Sequence, residues 1–115
     1  MSRHDAERLQ DILAAIDAIH AHLRRGDLAD GLVFDAVRVR LIEIGEAVKG
    51  IGPELLTSEV EIPWAAVASM RDHLAHHYFD TSHAIVAATV AEDLPSLEQA
   101  VRRLIASTTG PLPKR

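Results

Sequence analysis

The sequence predicts an all-α protein, an antiparallel bundle of four to five helices. Apolar residues recur at intervals of three and four along most of the chain, which is the repeat of an amphipathic helix. Hydrophobic residues make up 48% of the composition and aromatics only 3%, so aliphatic side chains dominate, and Ala and Leu among them favour helix. No segment alternates strongly between apolar and polar at every second residue, as a half-buried strand would. Short connections between the helices predict the antiparallel arrangement.

The first two predicted helices end at clear signals. The first ends at a basic pair before Gly26, because cations suit a helix C-terminus and glycine allows the turn. The second extends from about residue 30 to residue 49, before Gly50, Gly52 and Pro53. Beside its main stripe lies a weaker apolar row, which predicts contact with another helix of the bundle or with a second subunit. The apolar stripe of the first helix is Leu9, Ile12, Leu13, Ile16, Ile19 and Leu23. The weaker row of the second helix is Leu32, Ala36 and Val39.

The second half of the chain is divided by turn and cap residues. Pro63 is predicted as the first residue of a third helix, which ends near residues 77–79. Residues 80–82, Asp-Thr-Ser, predict the cap of a fourth helix. Asp93 and Pro95 predict a kink or a restart before the last helix. The helical domain is predicted to span residues 1–107, followed by a flexible C-terminal tail over residues 108–115.

The composition limits the classes of function. The length of 115 residues fits one domain, and the absence of cysteine excludes disulfides and cysteine-ligated zinc or iron–sulfur sites. We expect no membrane partner and a cytoplasmic location, since no signal peptide is visible and no apolar run approaches the ~18 residues of a membrane span. The net charge of −5 argues against a general nucleic-acid binder. Any RNA chemistry must therefore use a local cluster of positive charge.

Titratable groups are concentrated between Met70 and Phe79, at the end of the third helix. Three interpretations compete. His73 and His77 have the spacing of metal ligands on one helix face, but no carboxylate-and-histidine pattern recurs on another helix, as bundle metal sites usually require. The histidines, including His83, could instead be structural, because imidazoles near a helix C-terminus can cap its last carbonyls.

The third interpretation is acid–base catalysis on a phosphodiester. Asp72 and His76 are four residues apart on a helix, so the carboxylate can orient the imidazole and favour its charged form. Arg71 and Tyr78 are seven apart and nearly align in a neighbouring row. A guanidinium suits a phosphate, and an imidazole suits proton transfer near neutral pH. Arg71 and His76 are thus predicted as catalytic and Asp72 as supporting, and Glu46 is a further supporting candidate that could equally be a surface or capping residue.

The string Arg71-x-x-x-x-His76-x-Tyr78 resembles the R-x-x-x-x-H-x-Y motif of HEPN-domain proteins of the HepT type. Further segments match in order, and the similarity extends over roughly residues 8–106. The motif alone is weak, because an Arg and a His at this spacing occur by chance, whereas the ordered set is specific. The matching segments are Ile44-Gly-Glu-Ala47, Ile62-Pro-Trp64, Met70-Arg71, Tyr78-Phe79 and Asp93-Leu-Pro95.

The resemblance implies an all-helical, HEPN-like fold that forms a homodimer. It implies a metal-independent endoribonuclease without a cofactor, whose two motifs meet at the dimer interface and whose substrate is RNA, such as tRNA or mRNA. It also implies a toxin of a type VII-like toxin–antitoxin pair, in which a minimal nucleotidyltransferase antitoxin of the MntA type AMPylates the motif tyrosine, by position Tyr78. The alternative is a non-catalytic helical adaptor that binds nucleotides or a nucleotidyltransferase in the same cleft. A helical metal-binding protein is a third, weaker alternative.

Other residues carry weaker expectations. Trp64 is expected in the core or an interface rather than as a platform for stacking bases. Arg24, Arg25, Arg38 and Arg40 could contact an RNA backbone, but solvated helix faces are the default expectation for them.

Overall fold

The computed structural model describes residues 3–75 and 79–109, and the regular structure within these ranges is helical throughout. The all-α prediction is confirmed. A short π-helical turn at Thr89–Asp93 joins the last two α-helices. The α-helices are α1 (Arg3–Arg25), α2 (Gly31–Lys49), α3 (Pro53–Leu56), α4 (Trp64–Ala75), α5 (Phe79–Ala88) and α6 (Leu94–Thr109).

Helices α1 and α2 pack side by side and must be antiparallel. Residues 26–30 connect them, and such a connection spans at most about 18 Å, whereas the 23 residues of α1 extend about 35 Å. Asp30 begins α2 as its N-cap, because its Oδ1 accepts hydrogen bonds from the backbone N–H groups of Leu32 at 2.9 Å and Val33 at 3.5 Å. The predicted end of α1 at Arg25 is confirmed.

Helix α2 lies at the centre of the bundle. It packs along both α1 and α4, while α6 packs against α1. The predicted main stripes of α1 and α2 form one aliphatic core, in which Leu13 and Leu23 are only partly buried. Each side chain that leaves water completely contributes about 2 kcal/mol of hydrophobic stabilisation. The main stripe of α2 is Val33, Val37, Leu41, Ile44, Val48 and Ile51. No helix in the described part of the chain is long and apolar enough to cross a membrane. The side chains that are almost completely buried are Leu9, Ile12, Ile16, Ile19, Val37, Leu41, Ile44, Leu74, Val86, Leu94, Val101 and Leu104.

The weaker apolar row of α2 stays exposed. Leu32 is 82% exposed and Val39 is 45% exposed, with Ala36 half-buried between them. The contacts of α2 with α1 and α4 therefore use its other faces. Burial of this row within the monomer is ruled out for Leu32 and Val39, and its contact with a second subunit stays a prediction.

Two predicted boundaries in the second half differ from the structure. Residues 80–82 lie inside α5, which begins at Phe79, so the prediction that they cap a helix is wrong. Capping preference is a local tendency, and the tertiary context overrides it here. The expected kink takes the form of the π-helical turn, in which the Leu94 N–H donates to the Thr89 carbonyl. Pro95 follows in the first turn of α6, where its missing N–H is tolerated.

Glu59 fixes the loop that precedes α4. Its backbone carbonyl accepts a hydrogen bond from Trp64 Nε1 at 3.0 Å, and its carboxylate accepts two from Arg103 at 2.8 and 3.0 Å. The side-chain hydrogen bonds from Arg103, aided by its charge, lower the pKa of Glu59 against the opposing effect of burial. Trp64 is half-buried and packs against the core, as predicted. The start of α4 is thereby tied to α6.

Candidate active site

Arg71 lies on the accessible side of α4. Its neighbours Met70 and Leu74 are buried in the core at 8% and 1% exposure, whereas the Arg71 side chain remains 43% exposed. The apolar face of α4 therefore anchors the helix, and the guanidinium stays within reach of a ligand. This is the arrangement that an arginine needs to hold a phosphate group.

Two carboxylates flank the Arg71 guanidinium. Glu46 on α2 forms an ion pair with Nε, and Oδ1 of Asp72 lies 3.3 Å from Nη1. All three side chains are substantially exposed, and ion pairs in such positions contribute only about 0–1 kcal/mol. The carboxylates can thus orient the guanidinium in the free protein and still release donors to an incoming phosphate. Glu46 thus contacts Arg71, and its role as a supporting residue stays a prediction.

The packing of α2 on α4 explains each residue of the Ile-Gly-Glu-Ala segment. Ile44 and Ala47 are buried in the core, and Glu46 contacts Arg71. At Gly45 the backbones of α2 and α4 approach closely. A Cβ atom there would lie 3.0 Å from the backbone nitrogen of Arg71 and 3.0 Å from the carbonyl oxygen of Val67. A larger residue would separate the helices. The segment therefore sets the distance between Glu46 and the helix that carries Arg71.

Part of the predicted site lies outside the described residues. His76 and Tyr78 belong to this part, so the pairing of Asp72 with His76 and the alignment of Tyr78 with Arg71 stay predictions. Within the described residues, the contact of Asp72 is with Arg71. The structure therefore brings together Arg71, Asp72 and Glu46, the three site residues that it describes.

The described histidines have different surroundings. Nε2 of His83 donates a hydrogen bond to the Leu28 carbonyl oxygen at 3.1 Å, and its ring stacks on Phe34 with centroids 5.2 Å apart. This supports the structural interpretation for His83, which fastens α5 to the beginning of α2. His73 is exposed, and His77 lies outside the described ranges. Among residues 3–75 and 79–109, no three His, Asp or Glu side chains are grouped as metal ligands.

A surface cleft of about 450 Å³ lies next to this site, between α1 and α2. Glu46 belongs both to its lining and to the ion pair with Arg71. Arg40, expected on a solvated face, is partly exposed there and pairs with Glu43 at 2.9 Å. Charges of both signs therefore line the cleft. Its charged residues are Arg8, Asp11, Arg40, Glu43 and Glu46.

Arg38 does not lie on the solvated helix face that was expected for it. The side chain is half-buried, and its Nη1 donates a hydrogen bond to the carbonyl oxygen of Leu74, 2.8 Å away in the last described turn of α4. Arg38 and Gly45 are seven residues apart, two helical turns, and so share the face of α2 that meets α4. That spacing is the signal in the sequence from which this contact could have been suspected.

Comparison with known proteins identifies the family of the chain. The family model described as "Ribonuclease HepT-like" matches residues 7–104. A probable ribonuclease HepT from Thermococcus cleftensis is 36% identical over 108 residues, covering 90% of this chain and 98% of the relative. A candidate RNase from Caldanaerobacter subterraneus is 38% identical over 68 residues, and the match covers 58% of this chain and 61% of that relative.

A candidate RNase from Methanocaldococcus jannaschii is 31% identical over 101 residues, with 84% of this chain and 87% of the relative covered. No solved structure shows significant similarity to the chain. The family match spans most of the chain and includes both the Ile-Gly-Glu-Ala segment and the helix of Arg71. The chain belongs to the HepT-like ribonuclease family.

Proposed function

We propose that this protein is an endoribonuclease that needs no metal and cleaves RNA at a site shared by two protomers. Arg71 and His76 are the catalytic residues, and Asp72 and Glu46 support them. The observation that carries the proposal is the exposed guanidinium of Arg71, the first residue of the motif. It lies on α4 and is paired with Glu46 on α2. Relatives named as ribonucleases over most of the chain support the reaction class.

The exposed row of α2 supports a shared site. Leu32, Val39 and Glu46 follow one another at intervals of seven residues, so they lie along one stripe of the helix. The apolar part of this stripe is the surface that a second protomer would cover, and its other end is the ion pair of Glu46 with Arg71. A symmetric contact whose two-fold axis passes near the Glu46 end of the stripe would bring both Arg71 side chains to one cleft.

Such a cleft answers the objection from charge. The chain as a whole is acidic, with a net charge of −5. Two arginines facing one cleft bring two guanidinium groups to the place where the RNA phosphate must bind, and each exchanges exposed contacts with Glu46 and Asp72 for the phosphate oxygens. The remaining acidic surface repels RNA elsewhere on the protein and so helps to orient the RNA toward the cleft.

The chemistry follows from the residue types. The His76 imidazole of one protomer removes the proton from a ribose 2′-hydroxyl, and the 2′-oxygen attacks the adjacent phosphorus. The bond from phosphorus to the 5′-oxygen breaks, and the second protomer's His76 protonates the leaving oxygen. Arg71 holds the phosphate oxygens as negative charge develops. The products are a 2′,3′-cyclic phosphate and a 5′-hydroxyl, and DNA is not cut because it lacks the nucleophile.

Purified protein incubated with total tRNA in EDTA tests the reaction. We expect cleavage that persists in EDTA, spares DNA of the same sequence and leaves 2′,3′-cyclic phosphate ends. A His76→Ala preparation made in the same way should not cut, which controls for contaminating nuclease. Products with 5′-phosphates would contradict the two-histidine mechanism. RNA binding without turnover, by protein whose mass shows no modification, would favour the adaptor alternative.

We further propose that Tyr78 is the point of control. In this proposal a partner nucleotidyltransferase transfers AMP from ATP to the tyrosine oxygen, and pyrophosphate leaves. The phosphodiester would place negative charge and bulk on the motif, seven residues along the sequence from Arg71, and compete with RNA for the guanidinium. The protein is then the toxin and the transferase its antitoxin.

The variant Tyr78→Phe separates modification from simple binding of the partner. We expect it to keep wild-type cleavage, since the phenol takes no part in the reaction, and to remain active when it is co-expressed with the transferase. Wild-type protein from the same cells should gain the mass of one AMP and lose cleavage. Full silencing of Tyr78→Phe by the partner would show that occlusion, not AMP transfer, controls the enzyme.

A further inference from the structure

Helix α4 is held against α2 at two places one helical turn apart. The first is the close approach at Gly45, where a Cβ would meet the backbone nitrogen of Arg71. The second is the hydrogen bond of 2.8 Å from Arg38 Nη1 to the carbonyl oxygen of Leu74. Both come from the same face of α2. The turn of α4 that contains Arg71 is thus fixed at its beginning by packing and at its end by a guanidinium.

The second contact joins a charged donor to a backbone acceptor. A carbonyl oxygen has two lone pairs, so the Leu74 oxygen can accept a hydrogen bond from Arg38. A guanidinium is charged, and the hydrogen bonds that it donates are stronger than those between neutral groups. Arg38 is half-buried and Leu74 is 1% exposed, so water competes weakly for this bond. The contact also joins residues 36 positions apart in sequence.

We infer that Arg38 is a positioning residue of the ribonuclease. It holds the turn of α4 at Leu74 in place and thereby fixes the position of the catalytic arginine. The inference rests on the proposed function. Arg38 contacts the backbone of the motif helix and is not proposed to touch RNA. A side chain that acts in this way should affect the rate of the chemical step more than the binding of substrate.

The variant Arg38→Met, which keeps the aliphatic stem and removes the donors, tests the role. We expect kcat for RNA cleavage to fall about ten-fold while KM changes less than about two-fold. Arg38→Lys, which keeps the charge and a donor, should recover most of the loss. Arg102→Met removes a more exposed guanidinium that pairs with Glu98 within α6, away from Arg71, and it should leave kcat and KM unchanged.

Hydrogen–deuterium exchange provides a readout that does not depend on nuclease activity. In Arg38→Met, amide exchange of the peptide covering residues 70–75 should rise about ten-fold, while the α1 peptide keeps its protection. Unchanged exchange in the α4 peptide overturns the inference, even if the wild-type protein proves to cut no RNA. With an active wild type, an unchanged kcat also overturns the inference, because Arg38 would then not position the catalytic arginine. A loss confined to KM overturns it as well, because Arg38 would then act in binding the substrate.

Discussion

Replacement of Arg71 by Ala should lower kcat for RNA cleavage by about 10²- to 10³-fold, the loss that follows when one donor to a developing oxyanion is removed. The guanidinium is held by Glu46 and Asp72 and faces solvent on α4, so it is placed to meet a phosphate. Arg71→Lys should recover only a small part of the rate. An ammonium keeps the charge but loses the planar fork that binds two phosphate oxygens.

The substitution Arg71→Ala should have little effect on the free energy of unfolding. The Arg71 side chain is 43% exposed and Glu46 is 56% exposed, so the pair adds less than about 1 kcal/mol to the free energy of unfolding. Initial rates and urea denaturation of the same preparations separate the two effects. Arg102→Ala is the matched control, since Arg102 also pairs with a carboxylate on an exposed helix face and lies away from the site. Equal losses of rate in both variants would show that Arg71 has no special role.

Gly45→Leu should lower the free energy of unfolding by about 3 kcal/mol, the upper part of the range for an overpacked core. A Cβ at this position lies 3.0 Å from two backbone atoms of α4 and 3.2 Å from the Ala68 carbonyl oxygen. Backbone atoms cannot rotate away as a flexible side chain can, so α2 and α4 must separate. Because Glu46 follows directly, we also expect the Arg71 pair to be disturbed and cleavage to fall at least ten-fold at a temperature where the variant is folded.

Gly31 offers a matched control within the same helix. A Cβ at Gly31 meets nothing within 4 Å, so Gly31→Ala should raise stability by up to about 1 kcal/mol through helix propensity alone. Gly45→Ala gains the same propensity but meets α4, and its net effect should be a loss of about 1 kcal/mol. Opposite signs for the two alanine substitutions in chemical denaturation would establish the close approach. A Gly45→Ala protein as stable as Gly31→Ala would refute it.

The sequence predicted the fold class because helical periodicity is a local property. The α1 stripe could be identified by counting intervals of three and four. Four of its members are buried as expected, and Leu13 and Leu23 are partly buried against the core. Gly26 and Pro63 marked helix boundaries through their own backbone preferences, independent of distant contacts. Pro63 was expected as the first helical residue, whereas α4 begins one residue later, at Trp64. The same local reasoning was wrong for residues 80–82, which belong to cap-forming residue types but lie within α5. It also predicted a kink near Pro95 without the π-helical form that the turn takes.

The candidate site was only partly predictable. Spacing along one helix associated Arg71 with its motif, and the resemblance to HEPN-domain proteins supplied the family, which the family match over residues 7–104 then established. Glu46 was a weaker expectation, because a contact between α2 and α4 depends on how two separate helices are placed. No pattern in the sequence specifies the orientation of one helix against another with the accuracy of a hydrogen bond.

By itself, the sequence determined the helices, the aliphatic core and the membership of a ribonuclease family, because each of these depends on residue type and spacing. Only the tertiary structure decided that the backbone of α4 approaches closely at Gly45. It also decided that Glu46 pairs with Arg71 and that Arg38 donates a hydrogen bond to the Leu74 carbonyl oxygen. These contacts join residues far apart in the chain. They exist only when two packed helices bring their side chains within a few ångströms, and a distance of that kind is a property of the packing.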